Sequence, residues 1–187
     1  NALLIDTDHY MTLLDRSLGL MKLALAEAQN ERNSSFVVWQ DPEPWDNVEP
    51  LDELPRASSH SVTDLWAFGN EIESLCFNIV NIASTPIRLR VEPGTIKALG
   101  ESEGQKRPPL VEMVSIHSTL SLPSHGESVP DLLPRLGGGQ FIDIAPGQVQ
   151  QLWFNISTHD LAAGTYELAW EIRTLDIASD SSTLRVK

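Results

Sequence analysis

The sequence predicts a mainly β protein, an antiparallel β-sandwich preceded by one amphipathic helix and an extended arm. Three observations carry that expectation. Between Gln140 and Lys187, apolar residues alternate with polar ones in two runs, Gln150-Leu152-Trp153-Phe154-Ile156 and Tyr166-Leu168-Trp170-Ile172, with glycine and polar turns between them. Alternation of this kind marks strands with one buried face. A similar run, Leu75-Cys76-Phe77-Asn78-Ile79-Val80, appears earlier in the chain. Helical spacing is confined to residues 1–32.

In that first zone Met11, Leu14, Leu18, Met21, Leu25 and Ala28 recur three or four residues apart, and Leu13, Leu20 and Ala24 widen the stripe. The spacing predicts a helix from His9 to Gln29, with Thr7 or Asp8 as its cap and Asn30 at its end. A stripe this wide needs a partner surface, on this domain, on another copy or on a neighbour. Phe36-Val37-Val38-Trp39 then reads as a short strand. Prolines at 42, 44, 50 and 55 exclude a regular helix from the acidic stretch that follows, which is expected to drape over a surface with Trp45 and Leu51 as anchors.

The remaining strands are expected at 71–82, 86–92, 110–117, 139–144, 149–157, 165–175 and 182–186. That is about seven, the number of an immunoglobulin-like sandwich. Residues 93–109 and 123–139 are expected to be long connections. The organisation is therefore a helix and arm over 1–68 and a sandwich over 69–187. If Leu152, Phe154 and Ile156 fill the core, Trp153 points to the opposite face, where the helix or its arm is expected to cover it. Tyr166, at the start of its strand after Gly164-Thr165, is placed as a tyrosine corner.

The 187 residues are 41% hydrophobic, enough for a core. The net charge is -13, which repels phosphate backbones and anionic headgroups, so neither nucleic acid nor an anionic membrane is an expected partner. No apolar run approaches the ~20 residues of a helical membrane span. The single cysteine, Cys76, excludes an intrachain disulfide and reads as a small buried hydrophobe. The chain opens on Asn1-Ala2-Leu3-Leu4-Ile5 with neither a methionine nor a signal peptide, the beginning expected of a processed protein or a fragment. Asn33-Ser34-Ser35 and Asn155-Ile156-Ser157 match a glycosylation sequon, a match common by chance.

Asn70-Glu71-Ile72-Glu73-Ser74, Phe77-Asn78-Ile79-Val80-Asn81, Pro86-Ile87-Arg88-Leu89-Arg90-Val91, Ile144-Ala145-Pro146-Gly147, Leu152-Trp153-Phe154 and Leu161-Ala162-Ala163-Gly164-Thr165-Tyr166 carry a resemblance. Residues 70–187 resemble the non-catalytic immunoglobulin-like modules, of the NEW3 kind, attached to large bacterial glycoside hydrolases and surface proteins. The resemblance implies a spacer, scaffold or sugar-associated module, with catalysis elsewhere in the parent chain. Residues 1–69 carry no resemblance.

No reactive constellation emerges from spacing. Asp6-Thr7-Asp8-His9 holds metal-ligand types but suits a helix N-terminus. Histidines 9, 60, 117, 125 and 159 form no metal or catalytic motif. Glu71 and Glu73 share a strand face, as paired catalytic carboxylates would, and are expected to form a solvated face or to pair with Arg88 or Arg90. Gly137-Gly138-Gly139 is a turn, since no Gly-Lys-Ser/Thr follows. Three tryptophans, Trp39, Trp45 and Trp66, are the candidate carbohydrate-binding residues. Gln40, Asp41, Asp46 and Asn47 are polar companions for sugar hydroxyls, and the competing role of the rings is to pin the arm onto the sandwich.

The expected function is a non-catalytic accessory module of a larger secreted or envelope protein. It would scaffold the other domains of its parent chain and contact glycans, with no cofactor. The alternative is a protein–protein or self-association module that uses the N-terminal helix. An autonomous hydrolase is the third and weakest possibility.

Overall fold

A computed structural model of the chain describes residues 34–40, 62–100, 109–124, 127–136, 141–175 and 180–187. The helix expected at 9–29, the Asp6–His9 cluster, the proline-rich arm with Trp45, and Gly137–Gly139 lie outside the described residues. In chain order the strands are β1 (Phe36–Gln40), β2 (Val62–Thr63), β3 (Ile72–Asn81), β4 (Ile87–Leu99), β5 (Val114–Ser118), β6 (Leu120–Ser124), β7 (Glu127–Leu132), β8 (Phe141–Ile144), β9 (Val149–Ser157), β10 (Thr165–Thr174) and β11 (Ser181–Val186). One helical turn, α1 (Leu110–Met113), precedes β5.

The strands form a four-stranded sheet in the order β1-β3-β9-β5, a five-stranded sheet in the order β2-β11-β10-β4-β8, and the separate hairpin β6-β7. All pairings are antiparallel except β11 with β2. The alternation in sequence becomes an alternation of faces. Phe36 and Val38, Leu75, Phe77 and Ile79, Leu152, Phe154 and Ile156 turn inward from the first sheet. Ile87, Leu89 and Val91, Tyr166, Leu168, Trp170 and Ile172, Leu184 and Val186 meet them from the second. The result is a sandwich with one core between two sheets. Phe154 joins the layers. Its ring lies edge-on to Phe77, 5.5 Å between centroids, and tilted against Trp170 at 5.1 Å. Such pairs add about 0.5–1.5 kcal/mol each beyond the area they bury.

Polar clamps close the ends. Asn81 is fully buried, and its Nδ2 donates to the carbonyl oxygens of Thr85 and Ile144, both at 2.9 Å, while its Oδ1 accepts from Ala83 N at 2.8 Å. One amide thus ties the end of β3 to β8 in the other sheet, with a partner for each of its polar atoms. Below it, Ala145-Pro146-Gly147-Gln148 turns with Gln148 N bonded to Ala145 O at 3.0 Å and Gly147 at φ 70°. Proline before a left-handed glycine is the signature of a type II turn. At the same end of β3, Asp180 accepts hydrogen bonds from Ser34 Oγ at 2.9 Å, Ser35 Oγ at 2.8 Å and Ser35 N, joining the entry to β1 with the entry to β11.

Three expectations are corrected. The strand expected at 110–117 begins only at Val114, because Leu110–Met113 makes a helical turn. The connection expected from residue 93 is strand as far as Leu99. Pro93-Gly94 does not end β4 but bulges it. Leu168 pairs with Ile96 and Trp170 with Pro93, so Ala169 alone stands opposite Gly94 and Thr95. The connection expected from 123 to 139 contains β7 and the end of β6, in register Leu122↔Val129 and Ser124↔Glu127. Pro123 and Pro130 are compatible with a two-stranded ribbon, where each strand has a free edge.

Outward-facing residues of the four-stranded sheet are also buried. Val37, Val80 and Ile82 form a second apolar cluster, with Trp39 and Val149 packed against it. Trp153 leaves the core face as expected. It is only 6% exposed, and its Nε1 donates to Gln151 Oε1 at 2.9 Å.

Candidate functional site

The most exposed aromatic groups of the described chain lie where β2 leads into β3. Trp66 is 91% exposed, Phe68 84%, and Ile72, the first residue of β3, 66%. A tryptophan ring offers ~150–250 Å² for burial, and here almost all of the side chain stands in solvent. The segment is not loose. Leu65 N donates to Lys187 O at 2.7 Å, and Phe68 N donates to Glu71 Oε2 at 2.6 Å. The Phe68 carbonyl accepts from Thr158 Oγ1 at 2.6 Å. Trp66 is therefore carried between two fixed points, one on each side in sequence.

The register of the first sheet explains why these loops meet. β3 begins opposite the end of β9, with Ile72 paired to Ser157, so the turn before β3 and the turn after β9 lie side by side. Thr158 knots them. Its N donates to Glu71 O at 2.9 Å, and its Oγ1 accepts from Glu71 N at 2.9 Å. His159 Nδ1 lies 3.0 Å from Asn70 Oδ1. His159 Nε2 lies 3.4 Å from Asp160 Oδ2, with both side chains largely in solvent. Asn70, at φ 63°, and Asp160, at φ 59°, are the non-glycine residues with positive φ among those described. Asn and Asp tolerate this left-handed region better than other side chains, and such conformations gather at sites where a side chain must be aimed. Chemically these joined turns form a ledge that carries two exposed rings, Trp66 and Phe68, and the amide, imidazole and carboxylate of Asn70, His159 and Asp160.

The three tryptophans singled out in the sequence are not brought together. Trp39 is half-buried on β1 and packs with the second apolar cluster, Trp45 lies outside the described residues, and Trp66 stands in solvent. The pairing expected between Glu71 or Glu73 and Arg88 or Arg90 does not form, because β3 and β4 are consecutive in sequence but belong to different sheets. Glu71 instead caps Phe68 N. Arg88 makes a two-pronged contact with Asp143, Nε to Oδ1 at 2.6 Å and Nη2 to Oδ2 at 2.9 Å. The hydrogen bonds from Arg88 hold the Asp143 carboxyl below its ordinary value. Arg90 and Arg173 share Glu92 Oε1 at 2.9 and 2.8 Å.

Sequence spacing misses one pair. Ser115 and His117 stand on one face of β5, with Ser115 Oγ 3.0 Å from His117 Nε2 and His117 Nδ1 2.9 Å from the Leu133 carbonyl. The carbonyl fixes the proton on Nδ1, so Nε2 accepts from the serine. Serine and histidine two apart in a strand is the signal that was there to read. Behind the imidazole stands a carbonyl oxygen rather than a carboxylate. With Leu136 N to Ile116 O at 2.9 Å and Ser118 N to Pro134 O at 3.2 Å, the contact fastens residues 133–136 along the outer edge of β5, which protects that edge from other strands.

No family model matches the chain, and no curated protein matches its sequence. Among solved structures, a family 123 glycoside hydrolase from Clostridium perfringens that acts on glycolipid glycans is similar over 82% of this chain, with a TM-score of 0.52 and 11% identity. The adhesin CfaE of enterotoxigenic Escherichia coli is similar over 81%, with a TM-score of 0.43 and 13% identity. The chain spans 27% of the hydrolase and 48% of the adhesin. At these identities the likeness concerns the fold alone, and the fold is an immunoglobulin-like, antiparallel β-sandwich.

Proposed function

We propose that the chain is a non-catalytic accessory module of a larger secreted or envelope protein, scaffolding neighbouring domains and contacting glycans through Trp66. The observation that supports this most is the pinned exposure of that ring. A tryptophan held almost wholly in water keeps its apolar face available for the C–H face of a sugar. Fixing the backbone beforehand reduces the ordering cost of binding. The resemblance of residues 70–187 to NEW3-like modules points the same way. So does the likeness of fold to about a quarter of a glycoside hydrolase chain, since it is compatible with a sandwich of this kind inside a longer protein.

Native electrophoresis of the full chain through gels containing soluble polysaccharides tests the proposal. The expected result is retardation by at least one polysaccharide, lost in Trp66→Ala, and hydrolysis of none. Retardation that Trp66→Ala leaves unchanged would remove the ring from the account. Turnover abolished by one Asp, Glu, Ser or His substitution would make the chain an enzyme.

A further inference from the structure

We propose that the ligand of the Trp66 ledge is a neutral glycan, recognised jointly by the rings of Trp66 and Phe68 and by the polar groups of Asn70, His159 and Asp160; this rests on the glycan-contacting function proposed above.

The class of sugar follows from charge. Neither the stretch from Asp64 to Ile72 nor the stretch from Ser157 to Tyr166 contains a lysine or arginine. Both contain exposed or half-exposed carboxylates, Asp64 and Glu71 in the first and Asp160 in the second. The whole chain carries -13. A uronic, sialylated or sulfated glycan would bring like charge to this rim and lack the arginine fork that selects carboxylates and sulfates.

Neutral hydroxyls meet the opposite situation. An ionised carboxylate is acceptor-only, with two oxygens for vicinal hydroxyl donors. Asp160 holds its carboxylate largely in solvent at a left-handed φ of 59°. Asn70 occupies the same unusual conformation and locks onto His159. The two strained positions therefore flank one imidazole, a few residues from the rings that would stack. The hydrogen bonds of Thr158 join the two loops, and under this proposal stacking and hydrogen bonding act on one ligand.

Calorimetric titration of the full chain tests this with two probe sets, the neutral polymers soluble β-glucan, galactomannan and xyloglucan, and the anionic polymers polygalacturonate and dextran sulfate. At least one neutral polymer is expected to bind, with an affinity unchanged between about 0.05 and about 0.5 M salt, because no charge pair is involved. Trp66→Ala should weaken it at least about tenfold. Asp160→Asn, which the left-handed backbone accommodates, should weaken it severalfold because a neutral amide is the poorer acceptor, and the unfolding transition of this variant shows whether the fold is intact. Preferential binding of an anionic polymer that still depends on Trp66 would overturn the neutral class while leaving the glycan-contacting function standing. Binding of neither set would overturn both.

Discussion

Tyr166 Oη donates a hydrogen bond to the carbonyl oxygen of Ala162, 2.8 Å away and four residues upstream, while its ring packs into the core at 7% exposure. The chain turns the corner into β10 at this point, and the phenol spans the turn from inside. Turn geometry and core packing are thereby set by one side chain, as the Gly-Thr-Tyr order leads one to expect. Tyr166→Phe keeps the ring and removes the bond. It should cost about 1 kcal/mol, read as a lower urea midpoint at unchanged slope. An unaltered midpoint would deprive the hydroxyl of this role.

Gly94 sits in the β4 bulge, where an added Cβ would lie 2.7 Å from the carbonyl oxygen of Ala169. Backbone is a partner that cannot step aside cheaply. Gly94→Ala is expected to destabilise the fold by about 1–3 kcal/mol. Gly69, with nothing within 4 Å of its would-be Cβ, is the control, and Gly69→Ala should stay within about 0.5 kcal/mol of the parent. Equal effects of the two substitutions would mean that close approach at the bulge is not what selects glycine.

The Arg88–Asp143 contact gives a pH dependence with a defined sign. Arg88 lowers the Asp143 carboxyl pKa in the folded chain. The contribution to stability is present above the ordinary Asp value near pH 4 and is lost as pH falls through the lowered folded value. Both side chains are more than half exposed, 52% and 66%, so the effect is small, below about 1 kcal/mol. Asp143→Asn should flatten acid unfolding in that window and leave stability near neutral pH only slightly reduced. Steeper acid unfolding in this variant would reverse the sign assigned here.

Trp153, Cys76 and Gln151 are buried although they point away from the core between the sheets. The apolar stripe of residues 9–29 lies outside the described residues, and the expectation from sequence is that it serves this face. Removing residues 1–32 should then lower stability and shift tryptophan emission to the red. A remainder that keeps its stability while a dimer becomes a monomer would assign the stripe to self-association.

Much of the sandwich was legible because strand alternation is a local signal. Leu152-Trp153-Phe154 and Tyr166 to Ile172 announce their faces without reference to any partner, and both were placed correctly. Apart from the helical turn at Leu110–Met113 and the Ser115–His117 pair, what failed was non-local. Nothing near Glu71 says that β3 pairs with β9 rather than β4, so the ion pairs expected with Arg88 and Arg90 went to the wrong sheet. Pro93-Gly94 looks like a stop because a bulge and a turn use the same residues, and only the pairing with β10 separates them. Trp39 and Trp66 look alike in sequence. Their exposures differ because Trp39 lies on a strand with Val80 and Val149 for neighbours, whereas Trp66 lies on a connection whose neighbouring Leu65 takes the place against the core.

The central claim, that Trp66 is the contact residue of an accessory sandwich, is tested most directly by the indole N–H signals of the five tryptophans in a nitrogen–proton correlation spectrum. With the signals assigned by single Trp→Phe variants, the full chain is titrated with a polysaccharide that retards it in the gel. The account predicts that the Trp66 signal moves progressively while those of Trp153 and Trp170 hold their positions. A titration that moves Trp153 or Trp170 and leaves Trp66 in place would contradict it.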